Sequence, residues 1–339
     1  MAGIGRGRRL QYGKESTKGT KVSAAAIWGG EVKGLEDARQ IVNPKEDIGY
    51  ILPRLRSYTP MLFGKLAIPP TPATFEQTPV ILTSGVKKLV TGVADGSGSG
   101  YIYAYPAHYD ADSLNDFTTF SWESGDNQQE EELEYGYVAD FTLEGKAKEA
   151  WMLSANIEGR QVVPDTFTSA LSVPAVLEEM LFGNSKLYID DSGGTLGTTQ
   201  KTLTFLAASI KWKTGLVPVF SGDGSLYFTF AKFGPAPEIM VEVTFEHDTT
   251  GVAEKLKWRS NATRLLRIKV EGSTLATAGT DYSKKTALLD FAGRWDKFDV
   301  LDEDENGDSI VKGTLRVGRS DTDSLGATIT VVNELSSFP

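Results

Sequence analysis

Residues 301–313 read LDEDENGDSIVKG. Asp302, Asp304 and Asn306 stand at alternate positions and Gly307 follows, which is the first half of a calcium loop of the EF-hand type. Such a loop needs a bidentate carboxylate at its twelfth position, and counting from Asp302 that position is Gly313. It also needs helical flanks, whereas WDKFDV and SIVKGTLRV are strand-like. Asn-Gly between two strand-like runs is a strong hairpin signal, because both residues tolerate positive φ. Asp302, Asp304, Asn306, Gly307 and Asp308 therefore read as an acidic hairpin tip. Like charges so close together require water or a basic partner.

The rest of the chemical inventory is thin. The chain has no cysteine, which excludes disulfides, zinc–thiolate centres and cysteine nucleophiles. Only two histidines occur, His108 and His247, so neither a serine–histidine triad nor a multi-histidine metal centre is readily assembled. GSGSG at 96–100 lacks the following helix of a phosphate loop, and the N-terminal GIGRG follows no strand. His108, in PAHYD, reads as a loop residue, and His247 as part of a strand-to-helix junction. No catalytic residue, cofactor or metal is expected.

The elements that would carry these residues are mostly strands. YGYVADFTLEG (135–145) and AWMLSANIEGR (150–160) alternate apolar and polar residues around a short polar turn, the pattern of a hairpin with one buried face. Residues 202–213, 225–233 and 238–247 are also strand-like, and several strand-like runs follow to the C-terminus. Residues 174–182 (PAVLEEMLF) have helical spacing behind a proline. Residues 248–261 form a second helix candidate, capped by Asp248 or Thr249, with Val252, Leu256 and Trp258 facing a core. The proline-dense stretch 67–77 reads as neither helix nor central strand. Residues 110–134 hold nine acids and no Lys or Arg. Residues 1–21 are basic and Gly-rich and read as a flexible arm, followed by β-rich halves over 22–185 and 186–339.

A length of 339 residues with 40% hydrophobic and 24% charged residues is that of a folded soluble protein. No apolar run approaches the ~18 residues of a membrane span, and the N-terminus shows no apolar signal core. Neither membrane anchoring nor export through a signal peptide is expected. A net charge of −10 argues against DNA binding as a task, although it suits a wall along which DNA must slide.

RLQYGKESTKGTKVSA, then RSYTPMLFGKLAIPPTPATF, then VADFTLEGKAKEAWMLSANIEGR resemble the tail tube (major tail) proteins of long-tailed, non-contractile bacteriophages, most clearly over residues 9–165. The resemblance implies a mainly β fold of two fused β-sandwich tube modules, with short flanking helices and long hairpins that complete an inter-subunit β-barrel. It implies a structural subunit of the virion tail, assembled in the host cytoplasm. Trimeric, pseudo-hexameric rings would stack into a tube for DNA ejection, with an acidic lumen that DNA crosses without specific binding. Its partners would be other copies, the tape measure protein, and tail terminator and tail tip proteins. Stacking would use the N-terminal arm (Arg6, Arg8, Arg9), expected to meet Glu130, Glu131 and Glu132 of the next ring, and an extended loop around 45–75. The alternative is a decoration or carbohydrate-binding β-sandwich, with Tyr101, Tyr103 and Tyr105 exposed for stacking on sugars.

Overall fold

The structure, a computed structural model, describes residues 5–52, 54–107, 116–174, 176–304 and 307–338. The fold is mainly β. In chain order its first principal elements are β1 (Arg9–Lys14), β2 (Gln40–Val42), β3 (Tyr58–Met61), β4 (Gly64–Pro72), α1 (Thr78–Gly85), β5 (Tyr101–Pro106), β6 (Phe120–Gly125), β7 (Glu130–Lys146) and β8 (Met152–Gly159). There follow β9 (Ser185–Asp191), β10 (Phe205–Lys213), β11 (Glu238–Glu246), α2 (Thr249–Arg259), β12 (Thr263–Thr274), β13 (Lys284–Phe298), β14 (Ser309–Val317) and β15 (Ala327–Asn333).

The hairpin of β7 and β8 is the centre of the molecule, with Phe141 opposite Ala155 and Leu143 opposite Leu153. β4 pairs with the far side of β8, and β10, β11 and β14 follow beyond β7. The result is one antiparallel sheet in the order β4–β8–β7–β10–β11–β14. Its period-two pattern holds throughout: Phe141, Leu143, Leu153, Ile157, Ile210, Trp212, Val241 and Phe245 are all buried on one face. Each large apolar side chain so buried contributes about 1.5–3 kcal/mol.

Two long strands leave this sheet. β7 bends near Tyr135, which has φ of 57°, and its first residues pair with β6, which pairs in turn with β1. A side chain at Gly136 would press on the indole of Trp122, so the bend requires glycine. β13 pairs with β12 on one side and with β15 and then β14 on the other, and β9 and β5 extend these arms. The ladder branches and ends without returning on itself, so among the described residues it is open. One core runs through both halves of the chain. Buried Lys285 of β13 also ties them together, meeting Glu76 at 2.6 Å and Glu178 at 3.2 Å.

Several local expectations are corrected. The flexible arm expected over 1–21 becomes a strand at Arg9, and Leu10 to Gly13 are buried between β6 and the short strand Ala26–Ile27. Its basic composition hid a QY pair that packs inward, Tyr12 against Trp28 and Trp122. The proline-dense stretch contributes β4, whose Pro69, Pro70 and Pro72 lie along the sheet's outer edge, with a bulge opposite Leu153–Ala155. Proline is tolerated there because the missing N–H faces no partner strand.

Residues 176–181 are not helical. They run extended between two other segments, with Met180 N donating to Ala73 O at 2.8 Å and Trp151 N donating to Met180 O at 2.8 Å. Those tertiary bonds override the helical spacing. The helix that the sequence did not announce is α1, which is buried along its whole length against β7 and β5. Having no polar face, it leaves no helical period to detect.

Candidate assembly surfaces

The outer face of the six-stranded sheet is polar and largely uncovered in the monomer, except around Tyr137, which is buried under a second apolar cluster with Phe63, Phe117 and Phe228. Alternation along the strands places Lys65, Glu158, Asp140, Glu144, Lys146, Lys211 and Lys213 there, continued by Glu238, Glu242, Glu246, Lys312 and Arg316. That makes six acids and six bases, so this face is charge-balanced rather than acidic. Its charges pair across strands: Glu242 lies between Lys211 at 3.3 Å and Lys312 at 2.7 Å, and Glu238 meets Lys213 at 2.6 Å. The face carries a shallow open hollow lined by Glu144, Lys146, Ser209, Lys211, Glu242 and Lys312.

The strand directions give the sheet two distinct ends. β4, β7 and β11 run one way, while β8, β10 and β14 run the other. Glu246 and Ser309 lie at one end, and Gly64, Glu238 and Val317 at the other. The ribbon of β2 and β3 leaves from the second end, where β3 leads through Leu62 and Phe63 into β4. Between its strands Tyr50, Ile51, Leu52 and Leu55 are almost fully exposed. The tip of this ribbon and β3 fall within the expected loop around 45–75, whose later part is β4, while β2 precedes it.

The acidic tip lies at the first end. Asp302 pairs with Ile310 and Glu303 with Ser309, so the segment is a hairpin. Gly307 takes φ of 84°, as a hairpin turn requires, and Asn306 lies outside the described residues. Asp304 Oδ1 accepts a hydrogen bond from Asp308 N at 2.9 Å, and Asp304 O accepts one from Gly307 N at 3.1 Å. Asp304 thus closes the turn. Among the described residues no group of three or more acidic or histidine side chains is arranged to hold a metal ion. His108 is outside the described residues.

The residues proposed for ring stacking are scattered. Arg6 and Arg8 are exposed beside a short 3-10 turn (Gly5–Gly7), while the Arg9 guanidinium sits 4.0 Å over the ring of Phe167. Glu130 accepts a bond from Phe167 N at 2.7 Å, and Glu131 one from Gln129 Nε2 at 2.6 Å. Glu132 is buried, 1% exposed, and ion-paired with Lys21 beside Asp165. Burial pushes the Glu132 carboxyl up to about 8, with Asp165 adding to the rise and Lys21 opposing it. Asp165 is held at about 2, first by its hydrogen bond with Glu132 and then by Lys21. Glu132 is therefore an internal anchor for the chain around Lys21 and is not presented to a neighbour.

A second anchor escaped the sequence reading. Glu15, from the YGKEST motif, is buried and accepts bonds from Thr119 Oγ1 at 2.5 Å, Ser121 Oγ at 3.1 Å, Gly19 N at 2.6 Å and Tyr135 N at 2.8 Å. It joins the start of the chain to β6 and to the bend of β7. A lone acid amid basic and glycine residues was its only signal.

Two of the three tyrosines offered for sugar stacking are turned inward, and Tyr101 is half-buried. Tyr103 and Tyr105 are buried, with their hydroxyls donating to Leu335 O at 2.6 Å and Leu89 O at 3.1 Å. Both belong to β5, which is paired with β15, and neither ring has a face open to a sugar. No helix is long and apolar enough to cross a membrane among the described residues.

No protein-family model matches this chain, and no curated protein matches it.

Proposed function

We propose that this protein is the structural subunit of a bacteriophage tail tube, self-assembling into stacked rings around a hollow conduit. The observation that carries this reading is the six-stranded amphipathic sheet. One face is closed on the core, while the other is broad, polar, charge-balanced and, away from Tyr137, uncovered. Copies set side by side would line a channel with that outer face. Alternating Lys and Glu side chains paired with each other offer a polyanion no continuous basic track, so DNA could pass without being held.

The exposed apolar ribbon supports the same reading, since apolar side chains clustered on a protruding element mark an interaction surface. The halves share one core, so in this reading they rotate as one unit and three chains would give a pseudo-sixfold ring. A tape measure protein would occupy the channel, and terminator and tip proteins would cap the tube. The place of action would be the virion tail, with assembly in the host cytoplasm.

Negative-stain electron microscopy of the purified protein, before and after concentration and warming, tests this. Hollow tubes of stacked rings are expected, with the ring symmetry visible end-on. Small discrete oligomers under every condition, including with a tape measure protein added, would overturn the reading.

A further inference from the structure

Helix α2 is docked by the face that usually points outward. Its inward stripe is Gly251, Glu254 and Trp258. Glu254 is 2% exposed and receives Arg264 in a bidentate pair, Nε to Oε2 at 2.9 Å and Nη2 to Oε1 at 2.6 Å. Trp295 Nε1 adds a third bond to Oε2 at 3.0 Å. The apolar pair Val252 and Leu256, expected from the sequence to face the core, points away instead, 44% and 56% exposed. One turn apart, the two side chains form a small ridge.

The ridge begins at the end of the sheet that carries the acidic tip, with Val252 beside Gly251 and Leu256 one turn farther along. His247 N, just before α2, donates to Ser309 O at 2.8 Å, and a Cβ at Gly251 would stand 3.0 Å from Val311. Val300 and Leu301, which lead into the tip, are exposed as well. This end therefore combines uncovered apolar side chains with Asp302, Glu303, Asp304 and Asp308. The opposite end carries the apolar ribbon, with Arg54 between Leu52 and Leu55. It also carries Arg294 directly across from Arg316, a like-charge cross-strand pair that would be favoured by an incoming acid.

From this opposition we infer that the copies associate head to tail. The β2–β3 ribbon of one chain docks on the α2 ridge of a second copy, with Arg54 toward the acidic tip. Apolar groups meet apolar groups, and bases meet acids. Because the two patches differ, the contact is heterologous and adds copies in series. The inference rests on the tube reading and specifies which surfaces meet between successive rings.

The natural chain has no cysteine, so single thiols report contacts cleanly. A tagged Leu52→Cys protein is mixed with an untagged Leu256→Cys protein, assembled and oxidised, with untreated wild type imaged alongside. A mixed disulfide is expected on a non-reducing gel. Leu256→Glu should raise the concentration needed for assembly about tenfold or more, as loss of an anchor does, without changing the circular dichroism of the free protein. Asp302→Lys with Asp308→Lys should weaken assembly, and Arg54→Glu in the same chain should partly restore it. Wild-type tubes accompanied by no mixed disulfide, or normal tubes from Leu256→Glu, would overturn this contact and leave the tube reading standing. Failure of wild type to assemble at all would remove both.

Discussion

The two helices obey opposite rules. α1 (TPVILTSG) carries no charge, begins with a proline in its first turn and is buried on every side. Gly85 ends it where a Cβ would come within 3.1 Å of Val138 Cβ. α2 has a mean hydropathy below zero, is held by a buried ion pair and leaves its aliphatic side chains outside. Apolar burial makes α1 part of the core. Charge–charge anchoring makes α2 a shelf, fixed firmly beneath but apolar above. In the first helix hydrophobicity serves the fold of the chain, and in the second it is left for a neighbour.

Breaking the anchor of α2 should have the largest effect. Arg264→Met strands Glu254 without its cation and should cost about 3–5 kcal/mol in urea unfolding. Adding Glu254→Leu should recover most of that loss. If the double variant is as weak as the single one, the ion pair is not what seats the helix. In α1, Ile81→Ala opens a cavity in the core and should cost about 2–5 kcal/mol by the same measurement. Asp248 caps α2 by accepting bonds from Thr250 N at 2.8 Å and Gly251 N at 2.9 Å. Asp248→Ala should cost about 1 kcal/mol and shift Tm accordingly.

A pH titration tests the Glu132 anchor. The Glu132 carboxyl rises from 4.5 to about 8 on folding, so its contribution is complete below 4.5 and is lost as pH climbs toward 8. Asp165 falls from 3.8 to about 2, so its contribution is present above 3.8 and is lost only as pH drops through 2. Between pH 4.5 and 8 the Glu132 contribution slopes downward, and Glu134, whose carboxyl burial also raises, slopes the same way above 4.5. Glu132→Gln should flatten the Tm profile across that window. An unchanged profile would show that Glu132 ionises freely in the folded state. The smallest effect belongs to the ridge: Leu256→Ser should change the stability of unassembled protein by no more than about 0.5 kcal/mol. A loss as large as that of Ile81→Ala would erase the distinction between the helices.

Elements with a single wet face were legible in the sequence. The β7–β8 hairpin, β10, β11 and the acidic tip all showed period two or turn chemistry, because one side of each meets water. Elements without that contrast were not. α1 lacks a polar face, and residues 176–181 owe their extended form to backbone bonds with Ala73 and Trp151, which lie far away in sequence. α2 was found as a helix with Trp258 inward, but Val252 and Leu256 face out, because no local pattern announces that Arg264 waits beneath Glu254. The candidate surfaces divided in the same way. The tip and second strand of the ribbon fell within a flagged loop, while Glu130, Glu131 and Glu132 looked alike in a row although only Glu132 is buried.

The pairing of β5 with β15 has a consequence for synthesis. Tyr103 lies opposite Val331, Asn333 Nδ2 donates to Phe75 O at 2.7 Å, and Tyr103 OH reaches Leu335 O. The open side of an early strand is thus closed by residues that leave the ribosome long after it. At roughly 5–20 residues per second the interval is roughly 10–45 seconds. Throughout it, β5 must keep an apolar edge from pairing with other nascent chains. A ribosome that stalls before residue 327 would release a polypeptide whose first half is complete in sequence and unfinished in structure.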